Sequence, residues 1–249
     1  MIVVGLDLET TGLDKAKDRT IEVCTTLWST NFNRSLGSST ILVQSDGVSI
    51  PPEVTEKTHI TQAMVDKFGE SQEEAFANMA YWLGRAEAVV AFNGRRFDVP
   101  LSKNWAKRVG QAFPDLPIID PFTDTPLKAD AASPGMPGQE LITMCAKEGI
   151  YYSAHEAGAD VGAMLALMSR RPFEFVWQRS QSPVVVVRSK QDRSQNDKAK
   201  KHKFRWNPDR RIWWKAVKEI DLNVLAKAVN NEFGLEVLDI PIDEMETDD

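Results

Sequence analysis

The sequence predicts an α/β domain built on a mixed five-stranded sheet flanked by helices, followed by a small basic α+β unit. Three observations carry this. Three β-rich segments come first, then helix and strand alternate, then helices follow, an order that suits a sheet covered on its faces. The first segment is apolar yet holds two acids two residues apart, which points both to one side of a strand. Charge is unevenly spread: the whole chain carries −6, but Arg188 to Lys218 holds twelve Lys/Arg against three Asp, a local net of +9 that leaves −15 elsewhere.

The elements follow in order. Residues 2–9 (IVVGLDLE), 19–28 (RTIEVCTTLW) and 38–44 (SSTILVQ) read as strands, the last two rich in β-branched residues. Residues 46–54 (DGVSIPPEV) read as a turn-rich loop. A helix is predicted over 71–86, because Ser71 and Glu74 have capping-box spacing and Phe76, Met79, Ala80 and Leu83 recur at helical intervals. Residues 86–92 read as a short buried strand. Residues 99–110 read as a helix, with Pro100 tolerable in its first turn, and 116–120 as a brief strand. A loop over 124–138 precedes helices over 139–150 and 158–171. Residues 171–183 read as a boundary. Beyond it come a Val-rich strand (184–187), a basic stretch, an aromatic turn segment, a helix (221–233) and LEVLDIP. The predicted organisation is therefore a larger domain over 1–180, a small module over 184–240 and a disordered acidic tail over 241–249.

Composition excludes several classes. The 249 residues are 42% hydrophobic and 27% charged, ordinary for a globular chain. No apolar run reaches the roughly 18 residues of a membrane span, and the start lacks the pattern of a secretory signal. Cys24 and Cys145 stand far apart and form neither a disulfide framework nor a zinc set, so a cytoplasmic location is expected.

The acids carry the chemistry. Asp7 and Glu9 could face water from an edge strand. On a central strand they would be costly unless a cation offsets them, and hard divalent ions such as magnesium prefer carboxylate oxygens. Clustered carboxylates are also what a two-metal phosphoryl-transfer site requires. Downstream, Asp98 follows a strand, and His155 and Asp160 border an apolar helix. Each has a plainer use: Asp98 as a helix cap, Asp160 as a first-turn acid favoured by the helix dipole, His155 as a surface residue.

Taken together, these segments resemble the DEDDh branch of the 3′→5′ exonucleases, which includes proofreading subunits of bacterial replicative polymerases, ribonuclease T and oligoribonuclease. DLETTGL at residues 7–13 matches the first motif, NGRRFD at 93–98 the second and HEAGAD at 155–160 the third. The segment around His59-Ile60-Thr61 also fits, and the resemblance covers residues 2–170. One departure is that Asn93 lies five residues before Asp98, where proofreading subunits usually have four.

The resemblance implies a ribonuclease H-like exonuclease fold. It implies that Asp7, Glu9, Asp98 and Asp160 hold two Mg2+ or Mn2+ ions and that His155 takes the proton of the attacking water. A reference His pKa of about 6.5 suits that task near neutral pH. The expected reaction is removal of nucleoside 5′-monophosphates from a free 3′ end, DNA favoured over RNA. An RNA-trimming exoribonuclease and a non-catalytic docking module on the same fold are the alternatives. Thr10, Thr11, Leu13, His59, Asn93 and Phe97 are the residues expected near substrate.

In the basic stretch, strand alternation would put Phe204 and Trp206 on one face and Lys203 and Arg205 on the other, with Ile212 and Trp214 sharing a face. One aromatic set would form the small core. Lys203, Arg205, Arg210 and Arg211 could meet phosphates, and Trp213 is the ring expected to be exposed for stacking on a base. The segment loosely resembles small F-x-W-(N/D)-P…W modules that accompany phage and bacterial nucleases or helicases. Docking another protein is its other expected use.

Overall fold

The structure is a computed structural model and describes residues 1–124, 140–229, 232–242 and 244–245. The loop expected over 124–138 lies almost wholly outside the described residues. The chain divides into two compact units, one ending at Ser180 and one beginning at Gln181.

The first unit is built on a five-stranded sheet of order β3-β2-β1-β4-β5. Its strands are β1 (Ile2–Thr10), β2 (Thr20–Ser29), β3 (Arg34–Leu42), β4 (Ala88–Val90) and β5 (Ile118–Ile119). β1 pairs antiparallel with β2 and parallel with β4, so the sheet is mixed and β1 is its central strand. That position removes the edge-strand explanation for Asp7 and Glu9. Alternation along β1 sends Val4, Leu6 and Leu8 to one face, where they pack with α3 (Gln72–Leu83) and α4 (Asp98–Arg108). Val3 faces the other way, into a core made with α6 (Leu141–Lys147) and α7 (Ala157–Ser169). Burial of these apolar side chains on both faces is the main force fixing the sheet between its helices.

α3 is closed by the expected capping box: Ser71 Oγ accepts from Glu74 N at 3.3 Å and the Glu74 carboxylate accepts from Ser71 N at 3.3 Å. Gly5 decides how close α7 can come. A Cβ there would lie 2.7 Å from Val161 Cγ1 and 3.0 Å from Leu165 Cδ1, so the missing side chain lets the helix cross directly over β1.

Three local expectations are corrected. β3 begins at Arg34 rather than 38, because it continues directly from a tight hairpin with β2. α1 (Pro52–Thr58) begins inside the segment read as a loop, with Pro at a position where no backbone N–H is needed, and α2 (Gln62–Phe68) follows it. Residues 173–181 form α8 (Phe173–Gln181), whose Val176 is fully buried in the α6–α7 core. The short α5 (Pro121–Asp124) follows β5.

The second unit holds a four-stranded antiparallel sheet of order β7-β8-β6-β9. Its strands are β6 (Val184–Lys190), β7 (Arg205–Asn207), β8 (Ile212–Lys218) and β9 (Gly234–Leu238). One face packs on α9 (Asn196–Lys201) and α10 (Leu222–Val229) through Val187, Ala199, Phe204, Val217 and Leu225. The other is covered by the end of the chain, where Ile240, Ile242 and Met245 pack on Val186 and Trp214. Asn207 Nδ2 donates to Met245 O at 3.3 Å, and Arg210 pairs with Glu244 at 2.7 Å. Of the segment expected to be a disordered acidic tail, the described residues Ile242, Glu244 and Met245 make these contacts, the two apolar ones covering a sheet face; the rest of the segment lies largely outside the described residues.

Candidate active site

The acids converge at the carboxyl ends of the parallel strands β1 and β4, the edge of an open α/β sheet where ligands generally bind. Asp7 and Glu9 share one face of β1. Glu22 on β2 lies directly across from Glu9, so it points to the same side. Asp160 sits in the first turn of α7, which crosses that face, and Asp98 opens α4.

The electrostatics record how closely they gather. Burial raises the Asp7 carboxyl well above the usual range, and Asp98, Glu9, Asp160 and Glu22 raise it further. Burial likewise pushes Glu9 up to about 7, with Asp160 adding to it and Lys57 of α1 opposing. Burial takes Asp98 to about 7, although a hydrogen bond from the Leu8 backbone opposes the shift. Glu22 is raised chiefly by burial as well. Among the described residues, Glu9, His155 and Asp160 each offer a ligand atom, and these atoms lie within 4.8 Å of one another. Buried carboxylates that repel one another are stabilised as anions by cations, so the donor set fits divalent ions with oxygen preference.

Supporting groups hold this geometry. Asp160 accepts from the Tyr152 hydroxyl at 2.9 Å and from His155 N at 2.7 Å. His155 adopts a left-handed φ of 69°, uncommon for a residue with a Cβ, which turns the chain into α7. Glu22 Oε2 accepts from Ala157 N at 3.0 Å and pins the start of the same helix.

The loop presenting Asp98 is fixed from the far side. Asp120 accepts from Asn93 N at 2.8 Å and Arg95 N at 3.3 Å. Arg95 reaches fully buried Asp124 at 2.9 Å. Gly94 is required in this turn, since a Cβ there would fall 2.2 Å from Ala91 Cβ. Asn93 takes a left-handed φ of 55°, which Asn tolerates better than most residues.

The other expected substrate residues are distributed as follows. Thr10 donates to Gly12 O at 2.6 Å and Thr11 to Asp18 Oδ1 at 2.8 Å, so both hydroxyls are engaged in shaping the loop. Leu13 projects from that loop, 82% exposed. His59 ends α1 on the surface with a left-handed φ of 60°. Phe97 is half-buried against the α3–α4 core. In the second unit, Trp206 rather than Trp213 is the exposed tryptophan, at 47%. The Trp213 ring packs on that unit's core, and Trp214 is buried on the opposite face with Ile212. Phe204 is buried in the core that the Trp213 ring joins, and Trp206 pairs directly with Trp213, so Phe204 and Trp206 lie on one face as alternation expects. Lys203, Arg205 and Arg211 are exposed, while Arg210 is engaged by Glu244.

Sequence reasoning missed Glu22, Lys57, Tyr152 and Asp120. Period-two reading of β2 against β1 could have found Glu22. The other three become neighbours of the site only through folding.

The family model described as RNase T, exonuclease, matches residues 4–168. The chain belongs to this exonuclease family. It is a 3′→5′ exonuclease of the DnaQ-like type, and the family depends on divalent metal. The exonuclease fold is shared with solved structures of exonuclease I. One structure of exonuclease I superposes with TM-score 0.67 at 17% identity, covering 93% of this chain and 68% of that one. E. coli exonuclease I in complex with a dT13 oligonucleotide gives 0.63 at 17%, covering 98% and 68%. The zinc-bound form of an E. coli exonuclease I–ssDNA complex gives 0.67 at 17%, covering 93% and 67%. The chain thus spans about two thirds of the length of these three. None of the curated protein sequences matches it. Among the described residues, no helix of the exonuclease is long and apolar enough to cross a membrane.

Proposed function

We propose that the exonuclease removes nucleoside 5′-monophosphates from the 3′ end of DNA, using Asp7, Glu9, Asp98 and Asp160 to hold two Mg2+ or Mn2+ ions and His155 as general base. The observation that carries this reading is the raised carboxyls of Asp7 and Glu9 on β1 and of Asp98 on α4, with the charge of Asp160 on α7 acting on the first two, beside an imidazole. Bound divalent ions would acidify the attacking water and stabilise the departing 3′-oxygen. The chain's own residues do the rest. His155 accepts the water proton on an imidazole nitrogen, and its backbone N–H holds Asp160 in line. Tyr152 fixes the other Asp160 oxygen. The backbone of the Thr10–Leu13 loop and the projecting Leu13 receive the terminal nucleotide. The reading of DNA as the substrate is supported by the solved complexes of exonuclease I, of the same fold, with a dT13 oligonucleotide and with ssDNA.

Residues 184–240 serve as a substrate-binding module that raises affinity in a salt-dependent way. The protein works in the cytoplasm, consistent with the free, buried Cys24 and Cys145.

The test is a time course on 5′-labelled single- and double-stranded DNA and RNA with magnesium, manganese or chelator. Stepwise shortening from the 3′ end of DNA, absent in chelator, is expected. Faster shortening of RNA overturns the DNA preference, and undiminished activity in chelator overturns the metal assignment.

A further inference from the structure

We propose that Trp206, backed by Trp213 and flanked by Lys200, Lys203 and Arg211, is a platform on which an unpaired base of a single-stranded nucleic acid stacks. This rests on the reading of residues 184–240 as a substrate-binding module and names what the module recognises.

Trp206 and Trp213 are directly paired across β7 and β8, so their side chains share a face of the sheet. Their ring centroids are 5.6 Å apart with planes at 53°. Trp213 is half-buried against the core, whereas Trp206 is 47% exposed on an edge strand. A large indole held by a second indole yet open to water costs apolar exposure and offers a flat surface.

Three exposed cations border the pair, one of which, Lys200, also lies 3.9 Å from Asp197. Lys200 places its ammonium 5.8 Å from the Trp213 centroid. Lys203 and Arg211 border the two strands, both exposed and both with left-handed φ, at 60° and 54°. Other cations of the unit are committed elsewhere: Arg210 to Glu244, Lys201 to Glu232, and Arg188 and Lys190 to Glu236. Lys203 and Arg211 leave exposed basic charge at the borders of the two strands that carry the tryptophan pair.

An anionic chain with flat apolar faces suits this surface. Single-stranded nucleic acid has that chemistry, since every base has a π-face and every linkage a phosphate. A duplex hides its base faces in the stack. An acidic peptide would satisfy the cations but has no need of the indole.

The experiment uses the full chain in chelator, so that hydrolysis does not intervene, and fluorescence anisotropy of labelled dT and rU oligonucleotides and a blunt hairpin duplex. Trp206→Ala is expected to weaken both single strands by about 5- to 150-fold while changing duplex affinity little. Trp206→Phe restores most of the loss, and an unchanged melting temperature excludes misfolding. Lys203→Ala with Arg211→Ala lowers the slope of log affinity against log salt by about 1.4. Wild-type affinity of Trp206→Ala for the single strands, an equal loss on the duplex, or equally effective competition by an acidic peptide of matched charge overturns the proposal. Binding is read without turnover, so failure of hydrolysis in magnesium counts against the catalytic reading alone.

Discussion

Replacing Glu9 by Gln removes one charge from the acidic cluster while keeping its shape. In the folded chain the Glu9 carboxyl is raised from 4.5 to about 7 by burial and by Asp160. The folded protein therefore keeps a proton that the unfolded chain has already released between these values. Stability must fall as pH rises through that window, because the folded state binds more protons than the unfolded one. A shift of this size corresponds to about 3 kcal/mol at pH 7.5. The variant is neutral throughout and avoids that loss. In metal-free buffer at pH 7.5, Glu9→Gln should melt roughly 6–12 °C above wild type, and near pH 4.5 the two should coincide. Magnesium should raise the wild-type melting temperature at pH 7.5 and raise that of the variant much less. Thermal melts at both pH values, with chelator or magnesium, measure all of this. Identical melting at pH 7.5 in chelator would show that Glu9 bears no such strain, and the argument for a cation-demanding cluster would lose its main support.

His155→Ala should lower turnover by about 100- to 10,000-fold while leaving magnesium-induced stabilisation in place. Equal turnover by variant and wild type from pH 6 to 8 would remove the base assignment. Tyr152→Phe deletes the 2.9 Å bond to Asp160 and should cost about 10- to 100-fold in metal affinity or activity, read as a higher magnesium requirement with little change in melting temperature. Arg95→Ala deletes the 2.9 Å ion pair to fully buried Asp124, which still accepts from Asp120 N and Thr123 Oγ1, and should destabilise the first unit by about 1–3 kcal/mol, measured by denaturant titration.

Legibility followed the range of the interaction. The capping box at Ser71 and Glu74 and the alternation that puts Asp7 and Glu9 together depend on residues a few positions apart, and both were readable along the chain. α1 was not, because Pro51 and Pro52 suggest a turn in isolation. Its first turn is instead supported by Val54, which packs with Ile60 and Val65 against Ile21 of β2. The exposed tryptophan was misplaced for a related reason. Alternation predicts which residues share a face but not the order of strands in the sheet, and Trp206 lies on the edge strand β7 whereas Trp213 lies on the inner strand β8.

By itself the sequence determined which acids exist, their order in motifs, and the two-residue spacing that sets Asp7 and Glu9 on one side of a strand. Only the tertiary structure decided that this strand is central, that α7 passes close over Gly5 to bring Asp160 alongside, and that Tyr152, Glu22 and Asp120 hold the arrangement in place. Local propensity acts over a turn or a strand. The meeting of Asp7 with Asp160 is set by helix packing on the sheet, where burial and close approach rather than spacing along the chain select the neighbours.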